Sequence, residues 1–210
     1  MNVRQSYDLW ADRYDTDPNK TRDLEGIALR KSLNDLQFQL CLEIGCGTGK
    51  NTGWLSEKAD EVVAVDLSEK MIEKAREKIT SENTSFHQAD ITLPWSFTSK
   101  QFDLITFSLV LEHVAELEPV FAEATKKLLP GGSIYIAELH PIKQYLGSKA
   151  RFETADGLHI VSCFNHHISD FTGSAQAAGL RLEKLYEFFD DPERSGVPRI
   201  ITLVFGKSDI

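Results

Sequence analysis

The sequence has few of the features that mark secreted and membrane proteins. Its three cysteines, Cys41, Cys46 and Cys163, form no CxxC pair and are too few for a disulfide scaffold. It contains no run of about 18 apolar residues, the length that spans a bilayer. Residues 1–14 are polar and aromatic and lack the apolar segment of a secretory signal. We therefore expect a cytoplasmic protein without a membrane span.

Basic residues are also scarce. The chain has 23 Lys and Arg against 32 Asp and Glu, a formal net charge of −9. Such a chain repels phosphate backbones, which argues against nucleic acid as a partner. Its 210 residues, 41% of them hydrophobic, suit one folded domain, and no repeat or linker divides them. We expect a single domain over residues 1–210.

Strand and helix patterns alternate through the middle of the chain. Apolar runs predict strands at 38–44, 61–66, 85–88, 102–108 and 133–138. Helical stripes predict helices at 50–58, after the N-cap Ser68, and at 117–128. This order is typical of an α/β fold with a doubly wound, mostly parallel sheet.

The two ends of the chain read differently. Residues 1–36 are predicted to be helical, with a break at Asp17-Pro18-Asn19. Residues 139–165 have little periodicity and precede a predicted helix at 169–178. Strands at 180–188 and 199–205 are joined by a short link without a helical pattern, which favours an antiparallel hairpin.

The most informative segment is the glycine-rich turn Glu43-Ile44-Gly45-Cys46-Gly47-Thr48-Gly49, between the first strand and a helix. Glycines there let the backbone approach a ligand closely. An acidic-x-Gly-x-Gly-x-Gly pattern arises by chance in about 1% of chains of this length. The nicotinamide-dinucleotide fingerprint requires glycine at position 50, where this chain has Lys50. The turn therefore departs from the nicotinamide pattern.

Polar residues follow the next strands. Asp66 ends the second strand and would accept hydrogen bonds from both hydroxyls of a ribose, or else cap the following helix. Asp90, by itself a turn aspartate, follows the third strand, and Ser108-Leu109 follow the fourth. Because the carboxyl ends of parallel strands share one edge of the sheet, these residues together predict a ligand site there.

With these features the chain resembles the class I S-adenosylmethionine-dependent methyltransferases that act on small molecules, the group that includes the ubiquinone- and menaquinone-type enzymes. The resemblance extends over about residues 5–138, and the matching stretches are 7–15, 42–52, 65–68 with Met71, 89–90, 93–95, 102–105, 111–114 and 129–132. It implies a Rossmann-like sheet of seven strands whose last strand is antiparallel. It also implies methyl transfer to a small-molecule acceptor, with S-adenosylmethionine as cofactor and S-adenosylhomocysteine as product.

The resemblance also implies a cofactor site. Its members would be Tyr14, Glu43, Gly45, Cys46, Gly47, Asp66, Leu67, Met71, Ala89, Asp90, Ile91, Ser108 and Leu109. Asp66 would hold the ribose, and Ser108 and Leu109 would lie near the sulfonium. Tyr14 would close over the cofactor as part of a helical lid over residues 1–36, although it would also serve as a packing aromatic. Leu67 and Met71 would otherwise be ordinary core residues.

Residues 139–171 are expected to form an acceptor-side insertion. It contains four of the six histidines, His140, His159, His166 and His167. Three interpretations stay open: loop and helix-cap residues, an acceptor pocket with His140 or His167 as catalytic base, or metal ligands. No metal-binding spacing supports the last interpretation, and we predict no metal.

Two features of the sequence leave further alternatives. His113 follows the fourth strand and would also approach an acceptor, while Lys143, Lys149 and Arg151 would attract an acid group or be solvated. The alternative functions are a non-catalytic S-adenosylmethionine-binding module and, less in keeping with Lys50, a nicotinamide-dependent oxidoreductase.

Overall fold

The computed structural model describes residues 1–154 and 157–208. Its central sheet has seven strands in the order β3-β2-β1-β4-β5-β9-β8. The strands are β1 (Leu40–Ile44), β2 (Glu61–Asp66), β3 (Thr84–Gln88), β4 (Phe102–Ser108), β5 (Leu128–Leu139), β8 (Leu180–Phe188) and β9 (Ile200–Lys207). β1 to β5 are parallel, and β9 runs antiparallel to both of its neighbours, β5 and β8. The predicted fold class, including the antiparallel last strand, is confirmed.

Helices connect and cover these strands. They are α1 (Val3–Trp10), α2 (Lys20–Leu33), α3 (Thr52–Lys58), α4 (Glu69–Lys78), α5 (Leu117–Lys127), α6 (Pro141–Tyr145) and α7 (Ile168–Ala177), with a 3-10 turn at Leu111–His113. As predicted, the Ser68 side chain caps α4 by accepting from the Met71 N–H at 3.2 Å. Among the described residues, no helix has the length and apolar character needed to cross a membrane.

The core lies on both faces of the sheet. Val62 and Ala64 of β2 pack into one apolar cluster with α2, α3 and α4, while Val63 and Val65 pack into another with α5 and α7. Alternate residues of a strand point to opposite faces, so a strand covered on both sides is apolar throughout. This is why the inner strands could be predicted from apolar runs.

The segment predicted as a helical lid over 1–36 has two parts in the structure. Ala28, Leu29 and Leu33 of α2 are fully buried against the sheet, so α2 belongs to the core. The preceding segment, with α1, instead places Tyr7 and Tyr14 around the same cavity as Gly47 and Asp66, at the carboxyl ends of the strands. The Ser68 hydroxyl donates to Asp8 of α1 at 2.6 Å and helps to hold that helix on α4.

The predicted insertion at 139–171 contains regular structure that the sequence did not indicate. Besides α6, it forms a hairpin of β6 (Arg151–Thr154) and β7 (Gly157–Ile160); residues 155–156 lie outside the described part of the chain. Phe152 of β6 stacks on Trp10 of α1, with ring centroids 4.9 Å apart. The hairpin therefore packs on the N-terminal segment. Its four-residue strands are too short to give a clear alternation in the sequence.

Candidate functional site

A cavity of about 630 Å³ opens at the carboxyl ends of the parallel strands, beneath α1. Eleven of the thirteen residues predicted to contact the cofactor line it: Tyr14, Gly45, Gly47, Asp66, Leu67, Met71, Ala89, Asp90, Ile91, Ser108 and Leu109. In open α/β sheets this edge is where ligands bind. The structure therefore brings most of the predicted residues together around one volume that is large enough for a small-molecule ligand.

The glycines of the turn differ in their surroundings. Gly45, Gly47 and Gly49 have φ values of +74°, +54° and +82°, which disfavour other residues. A Cβ added to Gly45 would lie 2.0 Å from Cγ2 of Val110, so this glycine allows close packing inside the protein. A Cβ added to Gly47 would meet no atom within 4 Å and would project into the open space that a ligand needs.

Asp66 links the glycine turn to α4. Its Oδ2 accepts from the Gly47 N–H at 2.9 Å, and its Oδ1 accepts from the Ser68 N–H at 2.8 Å. Burial raises the pKa of the carboxyl, while these backbone hydrogen bonds oppose the rise. Ser68 is the helix cap, so Asp66 is free of that role. Each carboxylate oxygen keeps further acceptor capacity that would serve ligand hydroxyls.

Two predicted cofactor residues, Glu43 and Cys46, do not line the cavity. Glu43 lies beneath the turn, where it accepts from the Thr52 hydroxyl at 2.6 Å, and burial raises its pKa to about 8. Cys46 packs in the core, and burial raises its pKa well above the usual range. Their side chains support the turn from inside the fold.

Tyr7 and His113 form a hydrogen-bonded pair in the cavity wall that the sequence did not single out as a pair. The Tyr7 hydroxyl and His113 Nε2 are 2.8 Å apart, and His113 Nδ1 lies 2.8 Å from the carbonyl of Ser162. A carbonyl only accepts, so Nδ1 carries a proton, and in the neutral ring Nε2 accepts from Tyr7. Burial raises the pKa of Tyr7 well above its usual value, which keeps its hydroxyl protonated. The two residues lie in separate stretches of the sequence that carry the family resemblance, 7–15 and 111–114.

The histidines predicted as catalytic bases lie elsewhere. His140 Nδ1 accepts from the Ile142 N–H at 3.2 Å and caps α6, while its Nε2 lies 3.1 Å from Glu187 Oε1. Burial lowers the pKa of His140, and Glu187 opposes this effect. His167 is the N-cap of α7, and its ring is hydrogen-bonded to Tyr145. Neither histidine lines the cavity. Both positions match the helix-cap interpretation.

The other two histidines of the insertion have structural partners. His166 Nε2 donates to the carbonyl of Val114 at 2.8 Å, and His159 Nε2 is hydrogen-bonded to Thr154 at 2.8 Å. Their rings also pack against phenylalanines, His166 edge-on to Phe171 and His159 stacked on Phe152. These contacts hold the insertion together.

Among the residues that the structure describes, one cluster offers metal-ligand atoms. Those of Glu112, His113 and Cys163 lie within 4.8 Å of one another. The Nδ1 of His113 is committed to Ser162, and burial raises the pKa of Cys163 to about 12, which keeps its thiol protonated. A metal-ligating sulfur must be deprotonated. The arrangement favours hydrogen bonding over metal binding.

Comparison with known proteins adds family information to this geometry. Residues 42–136 match a family described as "Methyltransferase domain". A ubiquinone biosynthesis O-methyltransferase of Mesorhizobium japonicum is 30% identical over 148 residues, which cover 69% of this chain and 55% of that protein. A demethylmenaquinone methyltransferase of Clavibacter sepedonicus is 32% identical over 114 residues, covering 53% of this chain and 46% of the relative. The chain thus spans about half the length of these curated relatives.

A solved structure supports the fold. The crystal structure of a putative S-adenosylmethionine-dependent methyltransferase from Listeria monocytogenes superposes with a TM-score of 0.74 at 20% identity. The superposition covers 89% of this chain and 97% of the other. The likeness therefore extends beyond the segment that the family model matches.

Proposed function

Because the chain belongs to the class I S-adenosylmethionine-dependent methyltransferases, we propose that it transfers a methyl group from S-adenosylmethionine to a small-molecule acceptor. The observation that carries this proposal is the cavity at the carboxyl ends of the strands, lined by eleven of the residues that the sequence assigned to the cofactor. The open space beside Gly47 fits a ligand that lies against the glycine turn.

The residues around this cavity would divide the binding task. Asp66 would accept hydrogen bonds from the ribose hydroxyls, and Leu67 and Met71 would pack beside the adenine. Ser108 and Leu109, at the end of β4, would lie near the reactive end. Tyr14 would cover the cavity from the N-terminal segment. A bound S-adenosylmethionine supplies an activated methyl group on a sulfonium.

The protein itself would align the two reactants and exclude water, so that an acceptor lone pair attacks the methyl in line. A base is needed when the attacking atom carries a proton of high pKa. We place this role at His113 in preference to His140 or His167. His113 lines the first cavity, and its Nε2 is hydrogen-bonded to the Tyr7 hydroxyl. Displacement of the Tyr7 hydroxyl by the acceptor hydroxyl would put the proton within reach of that nitrogen.

The names of the relatives, the net charge and the cysteines bear on the acceptor and on the location of the protein. One relative is named for ubiquinone biosynthesis and the other for demethylmenaquinone, so quinones and their reduced, phenolic forms are the first acceptors to test. The net charge of −9 supports a partner other than nucleic acid. All three cysteines are free, in keeping with a reduced, cytoplasmic setting.

Calorimetry tests the cofactor. We expect S-adenosylhomocysteine and S-adenosylmethionine to bind at micromolar concentrations, and NAD to give no heat of binding. Binding of NAD alone would favour the oxidoreductase alternative. Methyl transfer to any phenolic acceptor, followed by mass spectrometry, would exclude a module that only binds the cofactor.

A further inference from the structure

A second cavity, of about 320 Å³, adjoins the first. Tyr7, Tyr14 and Leu109 line both cavities and form the boundary between them. The remaining walls of the second cavity come mainly from residues 18–22 and from residues 148–151 of the insertion. It therefore lies next to the end of β4, where the reactive end of the cofactor is placed in the proposed function.

The second cavity has an unusual charge. Five basic residues and one acidic residue line it: Lys20, Arg22, Lys149, Arg151, Arg199 and Glu112. The chain as a whole has a net charge of −9. A cleft that concentrates one sign of charge raises the local concentration of ligands with the opposite sign. This excess of positive charge therefore points to an anionic ligand.

Some of these cations have partners and others do not. Arg22 donates to the backbone carbonyl of Asp17 at 2.6 Å and lies over the ring of Tyr14. Arg199 is paired with Asp190 through two hydrogen bonds.

The remaining three cations differ from these two arginines. Among residues 1–154 and 157–208, the exposed side chains of Lys20, Lys149 and Arg151 have no ion pair within 4 Å. They are available to a ligand.

The acidic lining residue is less exposed than the three exposed cations. Glu112 is buried, and burial raises the pKa of its carboxyl, so that its charged form is disfavoured. Trp10 and Leu139, both buried, add apolar surface to the same cavity. The walls thus suit a small molecule with an apolar body and an anionic group.

We propose that the second cavity binds the anionic group, a carboxylate or a phosphoryl group, of the methyl acceptor. Lys149 and Arg151 would hold this group while the attacking atom reaches the boundary formed by Tyr7, Tyr14 and Leu109. This inference rests on the proposed function, because it takes the first cavity to be the cofactor site. It assigns acidic small molecules as the substrate class.

The test uses three probes of similar size: benzoate, phenyl phosphate and the uncharged benzamide. Each is titrated calorimetrically into the complex of the full chain with S-adenosylhomocysteine. The double variant Lys149→Ala/Arg151→Ala removes two cations of the cavity. Arg181→Ala/Lys184→Ala, on the exposed strand β8 and outside both cavities, is the matched control for the loss of two charges.

We expect benzoate or phenyl phosphate to bind and benzamide to bind at least about tenfold more weakly, because charged hydrogen bonds dominate the difference. The cavity variant should lose about tenfold in affinity for the anion, while the β8 control keeps it. The preferred anion identifies a carboxylate or a phosphoryl group as the natural group.

Contrary outcomes are separable. Three outcomes would overturn this inference alone, provided that S-adenosylhomocysteine binds normally. Benzamide binds with the same affinity as the anions, neither anion binds, or the cavity variant keeps its full affinity for the anion. If S-adenosylhomocysteine does not bind the wild-type protein, the proposed function fails, and the acceptor role of the cavity fails with it.

Discussion

The Tyr7 hydroxyl lies 2.8 Å from His113 Nε2 and joins the first helix to the turn that follows β4. The carbonyl of Ser162 accepts a hydrogen bond from His113 Nδ1, so the neutral ring presents Nε2 as an acceptor to the tyrosine. Tyr7 lines both cavities, and His113 lines the first. The pair therefore stands where a cofactor in one cavity and an acceptor in the other would meet.

We predict that His113→Ala lowers kcat for a hydroxyl acceptor by about 10²–10⁴-fold, the usual contribution of a general base. The affinity for S-adenosylhomocysteine should change little. Single-turnover methyl transfer measures the first quantity and calorimetry the second. Added imidazole should restore part of the rate if the ring acts as a base.

His140→Ala and His167→Ala are the comparison variants, because each changes a helix cap outside the cavity. They should keep the wild-type rate. A loss of rate in either of them, together with normal turnover in His113→Ala, would return the base to the insertion.

Gly47→Ala should weaken S-adenosylhomocysteine binding by about tenfold or more, since the added methyl group would occupy ligand space. Its φ of +54° also makes alanine destabilising by about 1–2 kcal/mol. Gly179→Ala is the matched control: Gly179 has a φ of +80° and equally open surroundings, but lies outside the cavity. Both variants should lower the melting temperature. Equal affinity in the two would exclude Gly47 from the site.

Asp66→Ala should weaken cofactor binding by roughly 2–3 kcal/mol, the cost of losing hydrogen bonds to a charged group. Asp103→Ala is the control, because Asp103 likewise accepts from two backbone N–H groups, those of Gln39 and Leu40. It stands at the opposite end of the sheet. Calorimetry should therefore find a loss of affinity in the first variant alone, whereas a similar loss in both would assign Asp66 a purely structural role.

The buried Glu43 predicts a pH dependence of stability. Its pKa in the folded protein is about 8, raised by burial, against about 4.3 in an unfolded chain. Between these values the folded state binds the extra proton, so the free energy of unfolding falls as pH rises from about 4.5 to 8. Glu43→Gln should remove roughly 2–4 kcal/mol of this fall.

Urea unfolding across that pH range measures the effect, with the exposed Glu57→Gln as the control variant. Glu138, whose pKa burial also raises to about 8, leaves a residual slope of the same sign. An unchanged slope in Glu43→Gln would show that this carboxyl titrates normally in the folded protein.

The cavity at the carboxyl ends of the strands could be predicted from sequence because its lining residues lie in short local patterns. Apolar runs mark the buried strands, and Gly47, Asp66 and Ser108 follow at their ends. Parallel strands then bring these ends to one edge whatever the details of packing. Glu43 and Cys46 belong to the same motif, yet their side chains point away from the cavity, which spacing alone does not specify.

The packing of the N-terminal segment and the insertion depends on contacts between distant segments. Tyr7 contacts His113, which lies 106 positions later in the sequence. Phe152 of the insertion contacts Trp10 of the first helix. The hydrophobic periodicity of a sequence does not indicate contacts between distant segments. The sequence favours His140 and His167 as bases because His140 follows a strand and His167 lies in the same insertion. In the structure the His140 ring caps a helix and the His167 ring is hydrogen-bonded to Tyr145. A histidine beside a helix start is therefore better interpreted first as a cap.

The shared wall formed by Tyr7 and Tyr14 also has a kinetic meaning. Both tyrosines belong to the N-terminal segment, which is fastened by Asp8 to Ser68 and by Asp15 to Thr48, each at 2.6 Å. The N-terminal segment thus contributes to the walls of both cavities, and a movement of this segment would open both at once. One such opening would release S-adenosylhomocysteine and admit the next acceptor.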